Sequence, residues 1–381
     1  MNFSGWTDHL PPPGETVAVA MSGGVDSSVA ACLLAERGCK VIGLTMKMFC
    51  YSENEPGERS CCNIDSIADA RSVCDSLGVP HYVLDGAALF RERVIEPFIR
   101  EYLAGRTPNP CVDCNAFVKF PVALSRAQAL GASCLATGHY ARLLIPPQPD
   151  EGNGPRIVLA RGLDSAKDQS YFLWGLRRQD LRLHAFPLGR LEKTTVRQIA
   201  SRMGLRVSQK KESQEVCFVG RDSLEEFIRR MHGPEILPGM HPGPLLDESG
   251  RRIGTHRGAA FYTIGQRRGV GAALGFPAYV TAVDTTTNTV VVGGQERLLS
   301  GAFLVKRLNY LVPQPEKAFE AMISIRHRHK PVSGRVEQLG PDQARVTLDK
   351  AQRAVTPGQS AVFYSGRIVL GGGIIDSVES Q

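Results

Sequence analysis

The chain reads as an α/β protein: a doubly wound parallel-sheet nucleotide-binding domain, then a small central domain, then a C-terminal β-barrel. Three observations carry this. From residue 16 to about residue 140, short apolar runs alternate with segments of helical spacing. The first apolar run leads directly into a Gly-rich loop and a helix. After about Phe218 the helical spacing fades, and short strands punctuated by Gly and Pro take over. The expected domain limits are 1–219, 220–284 and 285–381.

Taken in order, Thr16-Val17-Ala18-Val19 is the first strand, and a helix follows over Val29 to Ala35. Val41 to Leu44 is a strand, Ile64 to Leu77 a helix, and Tyr82 to Leu84 a strand. Leu89 to Leu103 has helical spacing interrupted by Pro97, and Cys134 to Thr137 is a strand. Pro146 to Pro155 is a hairpin tip or exposed loop. Lys193 to Met203 and Ser223 to Met231 are helical. Thr289 to Val292, Ala344 to Leu348 and Ala361 to Tyr364 are among the strands of the expected barrel.

In such a sheet, ligands bind beyond the carboxyl ends of the strands. Ala20-Met21-Ser22-Gly23-Gly24-Val25-Asp26-Ser27 lies there, as do Met46 and Thr137-Gly138-His139-Tyr140. Two glycines let backbone approach an anion, and the helix N-terminus faces it with free N–H groups. Ser22 and Ser27 add hydroxyl donors, and Asp26 is a candidate magnesium ligand. Neither the phosphate-loop lysine motif nor the dinucleotide Gly-x-Gly-x-x-Gly is present.

The chain has 381 residues, 43% hydrophobic and 22% charged, with a net charge of 45 − 38 = +7. That is mildly basic and compatible with a polyanionic partner. No apolar run reaches the roughly 18–20 residues that cross a bilayer, and Met1 to Pro13 has no secretory pattern. The expectation is a cytoplasmic protein. Ten cysteines in such a chain read as core thiols, catalytic thiols or metal ligands rather than a disulfide scaffold. Cys32, Cys39, Cys74 and Cys134 lie in apolar segments and are expected in the core. Cys50, Cys61 and Cys62 lack regular metal-site spacing and are expected to hold no metal.

Gly105-Arg106-Thr107-Pro108-Asn109-Pro110-Cys111-Val112-Asp113-Cys114-Asn115 is different. Asn109 suits an N-cap and Pro110 the first helical position. A helix starting here puts Cys111 and Cys114 on one face of its positive end, which favours thiolate. Redox, nucleophilic and metal-binding chemistry all remain open on spacing alone. Cys217, in Val216-Cys217-Phe218-Val219, is a third candidate thiol.

The Ser-Gly-Gly-Val-Asp-Ser string resembles the PP-loop of ATP pyrophosphatases, which bind pyrophosphate and transfer AMP. With Gly105–Pro110, Cys114-Asn115, Lys119-Phe120, Ala136–Tyr140, Lys167–Leu173, Cys217-Phe218, Tyr262–Arg267 and Pro357-Gly358-Gln359, the chain resembles the tRNA-specific 2-thiouridylase family along almost its whole length. The resemblance implies ATP with Mg²⁺, adenylation of the C2 oxygen of the wobble uridine, release of pyrophosphate, and replacement of that oxygen by sulfur. It implies ATP contacts at Ala20, Met21, Ser22, Gly23, Gly24, Val25, Asp26, Ser27, Met46 and Gly138. It implies that Asn109, Pro110 and Cys111 touch the target base, and that His139, Lys167, Asp168, Gln169, Arg326, His327 and Gln359 contact the tRNA. The target base lies in the anticodon arm and must leave its stack.

The family's scheme further implies a persulfide on Cys217, delivered by a sulfur-carrier protein. Cys114 attacks it and leaves a Cys114–Cys217 disulfide for reduction. A monomer is the family habit. One position departs: many members carry Asp where this chain has Cys111, and that acid is assigned a general acid/base role. Cys111, Cys114 and Cys217 therefore also make a candidate three-thiolate cradle for an iron–sulfur cluster with one open iron. Two rival functions remain: a PP-loop ligase or amidotransferase that uses ammonia and needs no thiol pair, and a non-catalytic tRNA-binding module.

Overall fold

In the computed structural model, residues 5–48, 64–147, 157–210, 216–220, 222–232, 237–271, 275–313 and 315–379 are described. Cys50, Cys61 and Cys62, most of the Pro146–Pro155 turn, and Ser213 to Glu215 lie outside them.

Five parallel strands form the nucleotide-binding sheet, in the order His81–Asp85, Lys40–Lys47, Thr16–Ala20, Cys134–Thr137, His184–Ala185. The order reverses beside Thr16–Ala20, so the Gly loop opens from a central strand at a topological switch point. Its side chains are buried on both faces, which is why Val17, Ala18 and Val19 form an unbroken apolar run. Helices Val25–Glu36, Ile64–Leu77 and Lys193–Arg202 and the helical runs over 87–103 and 110–129 accompany the sheet.

The two long runs share a feature that periodicity does not show. Each contains a wide, π-type turn, Arg91–Ile95 and Cys114–Lys119. Each wide turn is followed by a proline, Pro97 and Pro121, in the first turn of the next α-helical stretch. A proline ring crowds the carbonyl four residues back and donates no N–H. Those carbonyls belong to Arg93 and Phe117, inside the two wide turns. The chain widens by one residue there rather than breaking.

The C-terminal barrel closes through six antiparallel strands: Leu299–Tyr310, Gln343–Arg353, Val332–Gly340, Ala318–Ser324, Ser360–Ser365 and Ile368–Val378, the last pairing back to the first. Strands Val158–Arg161, Ala141–Ile145 and Thr7–Asp8 from the N-terminal region extend this sheet outward. The central unit is a four-stranded sheet, Arg252–His256, Gly243–Leu246, Thr289–Gly293 and Tyr279–Asp284.

Here the expected limit at residue 285 fails. Thr289–Gly293, expected in the barrel, is the second arm of a hairpin with Tyr279–Asp284 in the central sheet. The reason is local. Asp284 Oδ1 accepts the Thr286 and Thr287 N–H groups at 2.8 and 3.1 Å, and Asn288 sits at φ +50°. An aspartate that bonds its own following backbone makes a tight turn, not a linker.

The three units meet at residues 105–108. Gly105 (φ +73°) packs against Val283 and Thr285 of the central sheet. Thr107 Oγ1 lies 3.1 Å from Thr263 Oγ1, and the Thr107 N–H donates to the Pro357 carbonyl at 2.9 Å. Arg106 pairs with Glu101 at 2.7 Å and donates to the carbonyls of Asp376 and Ile375 at 2.8 and 3.1 Å. Removing this guanidinium takes the side-chain donor from the Asp376 carbonyl and leaves Ile375 only the Gly358 N–H, at 2.8 Å. Arg106→Ala is expected to cost about 1–3 kcal/mol, read as a lower urea midpoint at unchanged slope.

Candidate active site

The Gly loop is shaped by contacts below it. Gly23 has φ +66°, and a side chain there would run into the Ser66 carbonyl. Gly138 is required for a different reason: a Cβ would lie 2.7 Å from the Asp26 carbonyl carbon and the Ser27 nitrogen. Gly138 thus lets the next strand end pack directly on the first turn of helix Val25–Glu36. The Ser22 N–H donates to Ser27 Oγ at 3.1 Å, and Ser27 and Ser28 hydroxyls donate to the Gly24 carbonyl at 3.2 and 2.9 Å.

Asp26 is not the open magnesium ligand that the sequence suggests. Lys193 Nζ contacts both its carboxylate oxygens, at 2.7 and 2.8 Å, and the Tyr140 hydroxyl donates to it at 2.8 Å. The buried Lys193 already pairs with this carboxylate, and among the described residues no group of acidic side chains forms a metal site. A second lysine, Lys210, reaches the Gly23 carbonyl at 3.1 Å and Asp69 at 2.7 Å. Sequence reasoning missed both lysines. Lys193 is 167 residues from Asp26, and only the packing of helix Lys193–Arg202 on helix Val25–Glu36 unites them.

A cavity of about 210 Å³ adjoins the loop. Its lining is mixed: Ser22, Asp26, Ser27 and Thr137 are polar, while Leu44, Met46 and Leu84 are apolar. That division suits a nucleotide, with phosphates on the loop amides and the base on the aliphatic surface. Of the ten expected ATP residues, Ala20, Met21, Ser22, Asp26, Ser27, Met46 and Gly138 line this cavity; Gly23, Gly24 and Val25 form the loop and helix start behind it.

A second cavity, about 410 Å³, contains all three candidate thiols. Met48, Lys119, His139 and Gln169 line both cavities and form their common wall. Cys111 is exposed, Cys217 half-buried and Cys114 buried, with its Sγ 3.7 Å from Met48 Sδ. Pro110–Asp113 is helical with Asn109 at the N-cap position, as the sequence implies. The Asn109 side chain makes no cap bond and instead meets the Tyr171 hydroxyl. Cys217 sits in a turn held by Phe218, whose ring packs edge-on against Phe90 and Phe98 at 5.6 and 5.0 Å.

The three thiols line one chamber but do not converge on a single point. Among the described residues, no three Cys, His, Asp or Glu side chains form a group that can hold a metal ion. Nor does Asp113 take over from the missing acid at Cys111. Its carboxylate faces away, 2.7 Å from Arg307 of the barrel, and does not line the thiol cavity. Burial raises its pKa and the arginine opposes that rise.

The expected tRNA residues separate into two groups. Lys167 and His327 line the thiol cavity with Arg328, and His327 leans on Phe172 at 4.4 Å. Burial, then the Arg328 charge, lowers the His327 pKa. Arg326 is exposed beside them and donates to the Arg353 carbonyl at 2.9 Å. The others are internally engaged. Asp168 accepts the Gly162 and Ser170 N–H groups, each at 3.1 Å. Gln169 accepts the Tyr140 N–H at 3.0 Å. Gln359 donates to the Thr107 and Pro108 carbonyls at 2.9 and 3.3 Å, holding the approach to the thiol helix. His139, expected at the tRNA interface, stands in the wall between the cavities, with Nδ1 2.7 Å from Thr137 Oγ1.

A family model described as "tRNA methyl transferase HUP domain" matches residues 15–221. Models described as "tRNA methyl transferase PRC-barrel domain" and "Aminomethyltransferase beta-barrel domain" match residues 234–294 and 300–375. The tRNA-specific 2-thiouridylase MnmA of Geotalea uraniireducens is 45% identical over 364 residues, covering 94% of each chain. That of Magnetococcus marinus is 46% identical over 363 residues, covering 95% of this chain and 99% of its own. Among solved structures, a complex of a 4-thiouridine synthetase with RNA and bound ATP aligns with 55% of this chain and 46% of its own, at 18% identity and TM-score 0.36. That last likeness is too slight to carry weight.

Two outcomes follow from the geometry of the wall and the loop. Gly138→Ala is expected to displace the first turn of helix Val25–Glu36 and weaken ATP binding at least about tenfold, measured by equilibrium titration. Burial, then the Lys119 charge, pushes the His139 imidazole down to about 3, and burial pushes His184 down to about 4. The unfolded chain takes up these protons near pH ~6.5. Their contribution to stability is therefore present above that pH and is lost as pH falls toward 3–4. His139→Gln is expected to flatten the fall of the thermal midpoint across this window.

Proposed function

The chain belongs to the tRNA-specific 2-thiouridylase family, and from that premise we propose that it is a tRNA-uridine 2-sulfurtransferase that works through a protein-bound persulfide. One observation carries the proposal: a cavity at the Gly loop and a cavity lined by three thiols share Met48, Lys119, His139 and Gln169. An ammonia-using ligase has no need of thiols beside its substrate, and a binding module has no need of a PP-loop.

MgATP binds with its pyrophosphate end on the Ser22–Ser27 loop and its base toward Leu44, Met46 and Leu84. The wobble uridine, out of its stack, enters the thiol cavity beside Asn109, Pro110 and Cys111, while Lys167, Arg326, His327 and Arg328 meet tRNA phosphates. The uridine O2 attacks the α-phosphorus, pyrophosphate leaves with the bond pair, and the N3 proton passes to solvent. The loop amides offset charge on the departing pyrophosphate.

Sulfur arrives as a persulfide on Cys217 from a donor protein. The Cys114 thiolate attacks the inner sulfur, forming a Cys114–Cys217 disulfide and releasing hydrosulfide inside the cavity. Hydrosulfide adds to C2, and AMP leaves with the C–O bond pair. An external dithiol reduces the disulfide. The burial of Cys114 against Met48 supports its role as the resolving thiol, since it is shielded from competing oxidants. The half-buried turn that carries Cys217 supports access by a donor.

Mass spectrometry of tRNA from a strain lacking this chain tests the reaction: normal wobble 2-thiouridine refutes it. Site variants test the route. Cys114→Ser and Cys217→Ser are expected to lose thiolation by about 10³-fold or more while still releasing pyrophosphate with tRNA. Cys111→Ser is expected to keep at least a tenth of wild-type thiolation with a persulfide donor under air. Loss as complete as for Cys114 would return Cys111 to the sulfur-handling set.

A further inference from the structure

We infer that Lys119 is a catalytic residue that holds the α-phosphate between the two cavities, in both the adenylation and the sulfur-transfer steps. This rests on the adenylation reading above. Among the described residues, Lys119 is the one lysine or arginine that lines both cavities. Lys167 and Arg328 line only the thiol side, and Lys193 is committed to Asp26 beneath the loop.

The wide turn Cys114–Lys119 puts it there. In an α-helix, residues five apart point about 140° away from one another. In a π-turn the hydrogen bond runs from residue i to i+5, so the two stack on nearly one side. Cys114 and Lys119 are five apart and line the same cavity. The cause of the wide turn is Pro121, whose ring crowds the Phe117 carbonyl within it. The geometry therefore couples the resolving thiol to a cation one helical turn on. The cation's proximity to the wall is felt by His139, whose imidazole it helps hold neutral.

The chemistry places the α-phosphate at this wall. Its β- and γ-partners occupy the Gly loop on one side, and the uridine it joins must face sulfur on the other. When O2 attacks, the α-phosphate passes through a more negatively charged transition state as pyrophosphate departs. When hydrosulfide adds to C2 and the C–O bond breaks, AMP takes the electron pair, and charge grows on the same oxygens. One fixed ammonium favours both transition states over their ground states. Neutral His139, unable to repel it, leaves the cation's field on the phosphate.

The test is single-turnover pyrophosphate release by the full chain, with ATP, Mg²⁺ and unmodified substrate tRNA. Lys119→Met is expected to slow release about 10²–10³-fold. It should leave equilibrium ATP binding within about fivefold and persulfide loading of Cys217 within about twofold, since neither depends on the α-phosphate transition state. Lys119→Arg is expected to recover at least tenfold, and Lys119→Gln replaces the Met variant if that one fails to fold. Release by Lys119→Met or Lys119→Gln within threefold of wild type overturns the inference. So does a loss of ATP affinity as large as the loss of rate, which marks ground-state binding only. Absence of release by the native chain instead refutes the adenylation reading beneath it.

Discussion

Everything chemical in this protein depends on how one short segment, Arg106 to Asn109, is held. Its backbone carries no helix or strand of its own, so its polar groups must be satisfied from elsewhere. The barrel does this. Pro357 accepts the Thr107 N–H, Gln359 donates to the Thr107 and Pro108 carbonyls, and Gly358, at φ +92°, packs against Thr107 closely enough that a Cβ would lie 2.8 Å from its carbonyl. The thiol helix begins one residue later. The direction of Cys111 and Cys114 is thus set by residues about 250 positions away in the chain, and the barrel is part of the scaffold of this site.

The electrostatics of the site follow a consistent division. Below the loop, Lys193 and Lys210 bind carboxylates and a carbonyl, fixing the loop's shape with their charge largely spent. At the wall, Lys119 faces two cavities beside a histidine kept neutral by burial. On the thiol side, Lys167 and Arg328 give the cavity a positive rim suited to a phosphate backbone. These cations are separated by the groups they face. Residue type alone gives no such sorting, because all are Lys or Arg in polar stretches.

Much of this was legible beforehand. The strand–loop–helix order around Ser22 to Ser27 is visible because Gly-rich turns and apolar runs are local signals. So is the helix start at Pro110, fixed by its own ring. Other readings failed for equally physical reasons. Asp26 looked like a metal ligand because its partner Lys193 is remote in sequence. Gln359, Gln169 and Asp168 also bond neighbouring backbone, a structural role that their polar sequence setting does not reveal. Thr289–Gly293 looked like a barrel strand because strand propensity does not say which sheet a strand joins.

By itself the sequence determined the elements, the Gly loop, the identity of the three thiols and the family, since each is written in adjacent residues or in motifs. It also contained the cause of the wide helical turn, Pro121, without revealing the consequence. Only the tertiary structure decided that the two cavities share lining residues, that the three thiols line one chamber, and that Lys119 lines both cavities. Those are distances between segments far apart in the chain. They are fixed by the packing of a sheet, a helix and a barrel against one another, a constraint that no local pattern records.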